Sequence, residues 1–342
     1  MKQQRIGKRT IRFRCPPSIL AWSGIVGQKE GEGPIGSCFD RVGQDAMFGE
    51  KTWEAAESAM QKEAIETALK KGNIRKEDID CIFAGDLLGQ LIATSFGLAD
   101  FSIPLFGVYG ACSTMGESMG LAAMAVDGGY AQKAAAVTSS HFASAEKTFR
   151  FPLDYGNQRP LAATWTVTGS GAVIIGEYHP SGQRQVRITA MTAGRIVDYG
   201  IKDSMNMGAC MAPAAADTLT AYLNDTGEAA ESFDKIITGD LGYIGQKILI
   251  DLMRKKNIDI SLQHTDCGIE IYDKETQDTH AGGSGCGCSA VTLTSWILPR
   301  MLSGEWRRVF FMPTGALLSP ISFNEGQSVP GIAHGIVLEA GV

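Results

Sequence analysis

The sequence predicts a duplicated α/β protein, two packed halves with helices sandwiched between sheets, and three observations carry that expectation. A Cys-Ser corner opens an apolar, helix-like run twice, at Cys112-Ser113 and at Cys288-Ser289, an offset of 176 (288 minus 112). The offset then holds without a gap: Tyr130 meets Trp306, and Ala134-Ala135-Ala136-Val137-Thr138 meets Phe310-Phe311-Met312-Pro313-Thr314. Upstream, the stretch from Asp80 through Asp86-Leu87 pairs with the stretch from Asp234 through Asp240-Leu241 at a constant 154 (240 minus 86). Third, helical and strand-like segments alternate within each copy. A period this long marks duplicated halves, because solenoid units run about 20–50 residues. With 342 residues and a prior of roughly 150 per domain, the expected units are 1–180 and 181–342.

The elements follow in order. Trp53 to Lys70 has helical periodicity in Ala56, Met60, Ala64, Ile65, Ala68 and Leu69, and Gly72-Asn73 closes it. Asp80 to Ala84 is a short apolar strand. The run from Thr114 to Val126 is a helix rich in small residues, and Ala134 to Thr138 is a strand covered on both faces. Gly169 to Gly176 is a second buried strand, entered through glycines, before the Pro180-Ser181-Gly182 break. In the second half Val186 to Thr192 is a strand, Ala214 to Leu223 a helix, Ile236-Ile237 a strand, and Val309 to Met312 with Ile336 to Glu339 the closing strands. Gly33-Pro34-Ile35-Gly36 is a turn signal without chemistry of its own.

Composition narrows the function. Net charge is −6 with no long basic block, which argues against nucleic acid as a partner, since phosphate neutralisation needs clustered Lys and Arg. No apolar run reaches the ~20 residues of a spanning helix, and the basic stretch Met1 to Arg14 lacks the apolar core of a signal peptide, so a cytoplasmic location is expected. Lys2 to Arg14 is read as a solvated strand or tail, with contact to an anionic membrane surface as the alternative. Eight cysteines form no CxxC pair and no zinc spacing with the five histidines, as in a protein with reduced thiols.

Cys112 is the principal candidate for chemistry. A thiol at a helix N-terminus faces free N–H groups and the positive end of the macrodipole, which favour thiolate or a bound anion. The alternative is a buried cysteine that packs as a small hydrophobe. Around it, Gly110-Ala111-Cys112-Ser113-Thr114, Ala84-Gly85-Asp86-Leu87-Leu88, Thr138-Ser139-Ser140-His141, Thr168 to Val173, Met211 to Thr218, Asp266-Cys267-Gly268, Thr314 to Pro320 and the closing strand Gly331 to Glu339 together resemble one branch of the thiolase and 3-oxoacyl-ACP synthase superfamily, the stage V sporulation protein AD family. The resemblance implies a thiolase-like, layered α-β-α-β-α sandwich. It further implies non-catalytic binding of dipicolinic acid (pyridine-2,6-dicarboxylate) for its uptake into the developing spore, and a homodimer peripheral on the spore inner membrane. The implied partners are membrane-embedded proteins of the stage V sporulation A operon.

Residue chemistry bears on that implication. A condensing enzyme needs the acyl-accepting Cys with a His and a further His or Asn. By the resemblance the first His belongs after Ile236-Ile237, where the chain reads Thr238-Gly239-Asp240-Leu241-Gly242, and the next partner belongs within Gly282 to Cys288, which holds neither. The expected reading is therefore a pseudo-enzyme with no catalytic set. An active acyltransferase using Cys112 is the alternative, with His334 or His280 as the replacement base. A flat dianion wants donors for each carboxylate and a slot for its ring. The expected ligand contacts are Asp86, Cys112, Ser113, Ser140, His141, Gly283, Ser284 and His334, with Arg150 as a further donor. Asp86 and Asp240 sit at equivalent corners, read as turn caps or as ligands for Ca2+ accompanying the dicarboxylate. No resident cofactor is expected, and His179 and His264 are read as loop or surface residues.

Overall fold

One strand pattern is laid down twice in the computed structural model, which describes residues 4–150, 153 and 159–342. The first half contains β1 (Ser18–Val26), α1 (Trp53–Gly72), β2 (Cys81–Gly85), α2 (Ile92–Leu98), β3 (Leu105–Gly107), α3 (Thr114–Asp127), β4 (Lys133–Ser140), α4 (Phe142–Glu146) and β5 (Gly169–Gly176). The second contains β6 (Gln185–Thr192), α5 (Met207–Thr226), β7 (Lys235–Thr238), α6 (Gly242–Arg254), β8 (His264–Asp266), α7 (Cys286–Thr292), α8 (Leu298–Ser303), β9 (Arg308–Met312) and β10 (Gly335–Gly341). Spatial order is β1-β5-β4-β2-β3 in one half and β6-β10-β9-β7-β8 in the other, the same permutation. Strand senses repeat as well. β4 and β9 are antiparallel to β5 and β10, and β2 and β7 are parallel to both of their neighbours. The halves meet edge to edge where Arg187 of β6 pairs with Ser18 of β1.

The duplication extends to hydrogen bonds. Asp80 Oδ2 accepts from the backbone N–H groups of Gln132 and Lys133 at 2.7 and 3.1 Å, and Asp234 Oδ2 accepts from those of Arg307 and Arg308 at 2.7 and 2.8 Å. Each aspartate ties the start of its half's second strand to the start of the fourth.

Period-two alternation along the strands sorts side chains into layers. Ala134 and Ala136 of β4 and Val173 and Ile175 of β5 join the central cluster, while Ala135, Val137, Ala172 and Ile174 pack outward against α1. In the other sheet Val309, Phe311, Ile336 and Leu338 face the centre, and Phe310, Met312 and Val337 face α5. The central cluster contains α3, α7 and α8, with a π-helical turn over Leu293–Ile297 joining the last two. The layers are therefore α1 and α2, the first sheet, the central helices, the second sheet, and α5 with α6: the expected α-β-α-β-α sandwich. Small residues permit the tight central contact, since a Cβ on Gly171 of β5 would stand 2.5 Å from the Ala290 carbonyl carbon of α7.

Several expectations need correction. The helix expected over 214–223 begins at Met207, with Asn206 Oδ1 accepting from Ala209 N–H as its cap. Burial of Cys210, Met211 and Ala212 outweighs the hydrogen bond that Pro213 cannot donate. His264 lies on β8 and is 7% exposed, with its Nε2 3.0 Å from Thr238 Oγ1, so it is not a surface residue. Within the basic N-terminal stretch, Arg5–Ile6 and Thr10–Arg12 form short strands, the latter pairing with β6; Lys2 lies outside the described residues. No helix among the described residues is long and apolar enough to cross a membrane.

Candidate functional site

Each central helix starts beside the strand ends of the opposite half. A Cβ on Gly315, just past β9, would stand 2.2 Å from the Gly110 carbonyl oxygen and 3.3 Å from Cys112 N, and Cys286 Sγ lies 2.8 Å from the Ser139 carbonyl oxygen at the end of β4. The corner before α3 is held internally. Ser113 Oγ donates to the Gly110 carbonyl at 2.7 Å and Thr114 Oγ1 to that of Ala111 at 2.6 Å. Ala111 sits at φ +50°, a left-handed conformation that costs an L-residue about 1–2 kcal/mol. That turn presents Cys112, 6% exposed, to a cavity of about 690 Å³ including its mouth.

The partner of Cys112 is Asp240, which follows β7 across the molecule. The two side chains interact electrostatically, each shifting the other's titration. Asp240 also accepts from Thr314 Oγ1–H at 2.7 Å and from Gly285 N–H at 3.1 Å, and is fully buried. Burial pushes its pKa up to about 7 against the pull of those groups, of which Cys112 is the strongest. Burial also pushes the Cys112 thiol well above its ordinary range, and the Asp240 and Cys286 charges add to this, with only partial offset from Gly285 N–H. The helix N-terminus therefore does not yield a thiolate, because desolvation and a neighbouring carboxylate outweigh the dipole.

The residues expected from the sequence divide into those at the cavity and those committed elsewhere. Cys112 and Ser284 line it, together with Arg150 and Glu146 and with apolar Leu87, Phe149, Met205 and Leu318. Gly283 is one residue away in a short ribbon with Trp165. The other five are not among the lining residues, and each has hydrogen-bond partners within the fold. Ser113 is spent on its own turn. Ser140 Oγ donates to the Val167 carbonyl at 2.7 Å and accepts from Gly287 N–H at 3.1 Å. His141 caps α4, its Nδ1 accepting from Ala143 N–H at 3.1 Å while Nε2 lies 2.7 Å from the Ala46 carbonyl oxygen. His334 Nδ1 accepts from Gly194 N–H at 3.2 Å, and burial pushes this imidazole down to about 4. Asp86 accepts from the N–H groups of Leu88 and Thr94 and from Thr94 Oγ1, at 2.7, 2.8 and 2.6 Å. His280 is engaged by the Pro160 carbonyl and Asp278, each at 3.0 Å.

No imidazole is among the described residues that line the cavity. The equivalent aspartates have diverged: Asp86 closes its own turn, whereas Asp240 reaches Cys112. Sequence reasoning missed the second role, although Asp240 stands in the corner where the resemblance places a catalytic His. Glu146 was missed too; its i, i+4 spacing to Arg150 was the available signal. Among the described residues, no group of three or more His, Cys, Asp and Glu side chains is arranged to hold a metal ion.

Comparison with known proteins adds to this geometry. The family model for stage V sporulation protein AD matches residues 7–339. Stage V sporulation protein AD of Bacillus subtilis (strain 168) is 42% identical over 333 residues, 97% of each chain. Among solved structures, an OleA of Xanthomonas campestris is similar with a TM-score of 0.60 at 14% identity, covering 98% of this chain and 99% of its own. The 3-oxoacyl-[acyl-carrier-protein] synthase III of Aquifex aeolicus gives 0.54 at 12% identity over 94% of this chain and 99% of its own. At those identities the two structures establish the thiolase-like fold alone.

Proposed function

The chain belongs to the stage V sporulation protein AD family, and on that footing we propose that it is a non-catalytic binding protein for dipicolinic acid, serving the uptake of that dianion into the developing spore. The observation that carries the reading is the state of Cys112. Burial, with the Asp240 and Cys286 charges added, favours its protonated thiol, and no imidazole is among the described residues that line the cavity, so the activated Cys and His pairing of a condensing enzyme is not found there. A slot with polar groups at Cys112, Ser284, Glu146 and Arg150 and apolar walls suits a small flat ring bearing two acids.

The proposed setting is the inner membrane of the spore, with the chain peripheral and handing ligand to membrane-embedded products of the same sporulation operon. Ca2+ is proposed to travel with the dicarboxylate, held by the ligand's own oxygens. A homodimer is proposed through the edge strand β3, where Leu105 and Phe106 are 40% and 54% exposed, since a second copy would continue the sheet there.

One observation favours a second reading, an acyltransferase. Asp240 interacts electrostatically with the thiol and has a pKa of about 7, as a general base would. Calorimetric titration of the purified chain with dipicolinate, with and without Ca2+, against isophthalate and acetyl-CoA separates the two. Saturable binding of dipicolinate without a mass increase on Cys112 after acetyl-CoA supports the binding protein. No heat with dipicolinate, together with acetylated Cys112, overturns it in favour of the enzyme.

A further inference from the structure

The cavity wall contains an unsatisfied cation. Glu146, the last residue of α4, is fully buried; its Oε1 accepts from Thr166 N–H at 3.0 Å, and its Oε2 is ion-paired with Arg150 Nε at 2.5 Å without a hydrogen bond between them. The Arg150 side chain is only 10% exposed and lines the cavity, and its Nη1 is buried without any hydrogen-bond partner. A guanidinium has five N–H donors in a rigid fork and no acceptor, so a desolvated edge lacking an oxygen is costly unless an anion fills it.

Charge around this wall is biased the same way. Arg159 has a fully buried side chain that gives Nη2 to the Asp278 carbonyl at 2.7 Å and to its Oδ2 at 3.2 Å, and lies 4.7 Å from the Trp165 ring centre. Its Nε and Nη1 also lack partners, and the two arginines are close enough to repel. Two buried cations thus share one buried carboxylate, Glu146, because the Asp278 side chain is 71% exposed and screened by water.

We propose that the free Nη1 edge of Arg150 is the carboxylate anchor of the cavity, taking one acid group of a small aromatic dicarboxylate while Glu146 holds the Nε side of the fork. The assignment rests on the binding function proposed above, and names the residue that distinguishes a diacid from a monoacid.

The test is calorimetry on the full chain with dipicolinate and with picolinate, its one-carboxylate analogue, for the unaltered protein, Arg150→Gln and Arg150→Lys. A charge-assisted hydrogen bond of this kind corresponds to roughly 10- to 100-fold in affinity. Arg150→Gln is expected to weaken dipicolinate by that factor and to bring its affinity close to that of picolinate. Arg150→Lys, which retains the charge without the fork and guards against a folding failure in the first variant, is expected to fall between. Either variant, folded with an unchanged melting temperature, binding dipicolinate as the unaltered chain does overturns the anchor and leaves the binding function standing. An equal loss for both ligands with their ratio preserved overturns the discrimination of diacid from monoacid, because picolinate's single acid group then sits on the same arginine. Failure of the unaltered chain to bind dipicolinate instead removes the binding function itself, and the anchor with it.

Discussion

Replacing Asp240 with Asn tests the electrostatic account of the Cys112 corner. In the folded chain this carboxyl has a pKa of about 7, against an ordinary value of 3.8, and it is fully buried. A raised pKa means that the native state holds a proton which the unfolded chain has released. Its contribution is therefore most favourable below about pH 4 and is lost as pH rises towards 7. One pKa unit corresponds to ~1.4 kcal/mol, and with the group half ionised at pH 7 it removes ~2 kcal/mol of stability between pH 5 and pH 7. Glu57, with a pKa of about 8, and Asp266, about 6, are also buried and add to the decline, but they are common to both proteins and cancel in the difference. The Asn amide can still accept from Thr314, but presents a donor to Gly285 N–H, which costs ~1–3 kcal/mol. Urea unfolding at pH 5, 6 and 7 is the assay. Asp240→Asn should be the less stable protein at pH 5, with the deficit closing by ~2 kcal/mol at pH 7. Parallel stability curves for the two proteins across that range would refute the reasoning, because they would mean that Asp240 is ionised throughout.

Two further outcomes follow from the same geometry. At pH 7 iodoacetamide should alkylate exposed Cys15 and Cys38 and spare Cys112, whose thiol is buried beside Asp240; peptide mapping that finds Cys112 labelled at a comparable rate would contradict the protonated-thiol description. Gly315→Ala drives a methyl group to 2.2 Å from the Gly110 carbonyl oxygen, and overpacking of this kind should lower stability by ~1–3 kcal/mol and shift the Cys112 corner. The readouts are the melting temperature and dipicolinate affinity, and a variant unchanged in both would mean that the two strand-end corners are not in tight contact.

Much of the architecture was legible along the chain. The offsets of 176 and 154 located equivalent strands, and those strands carry the same spatial order in both halves. The continuous apolar run Ala134 to Val137 marked a strand covered on both faces, and the structure adds which of its side chains face the central helices. The boundaries that went astray have local causes. Pro213 obscured the first turns of α5, and β8, three residues long and bearing His264, is too short and polar for periodicity to reveal.

Sequence by itself determined the duplicated sandwich and put a cysteine at the start of a central helix, because backbone periodicity, turn residues and burial are local properties repeated over many positions. Only the tertiary structure decided what that cysteine touches. Cys112 meets Asp240, and Thr138 Oγ1 meets the Cys286 carbonyl, through pairings between residues more than a hundred positions apart. The same folding spends Ser140, His141 and His334 on backbone partners and leaves Arg150 with a bare edge in the cavity. A side chain's hydrogen-bond partner is set by which surfaces the fold brings together, and a polar residue type in a motif does not carry that information.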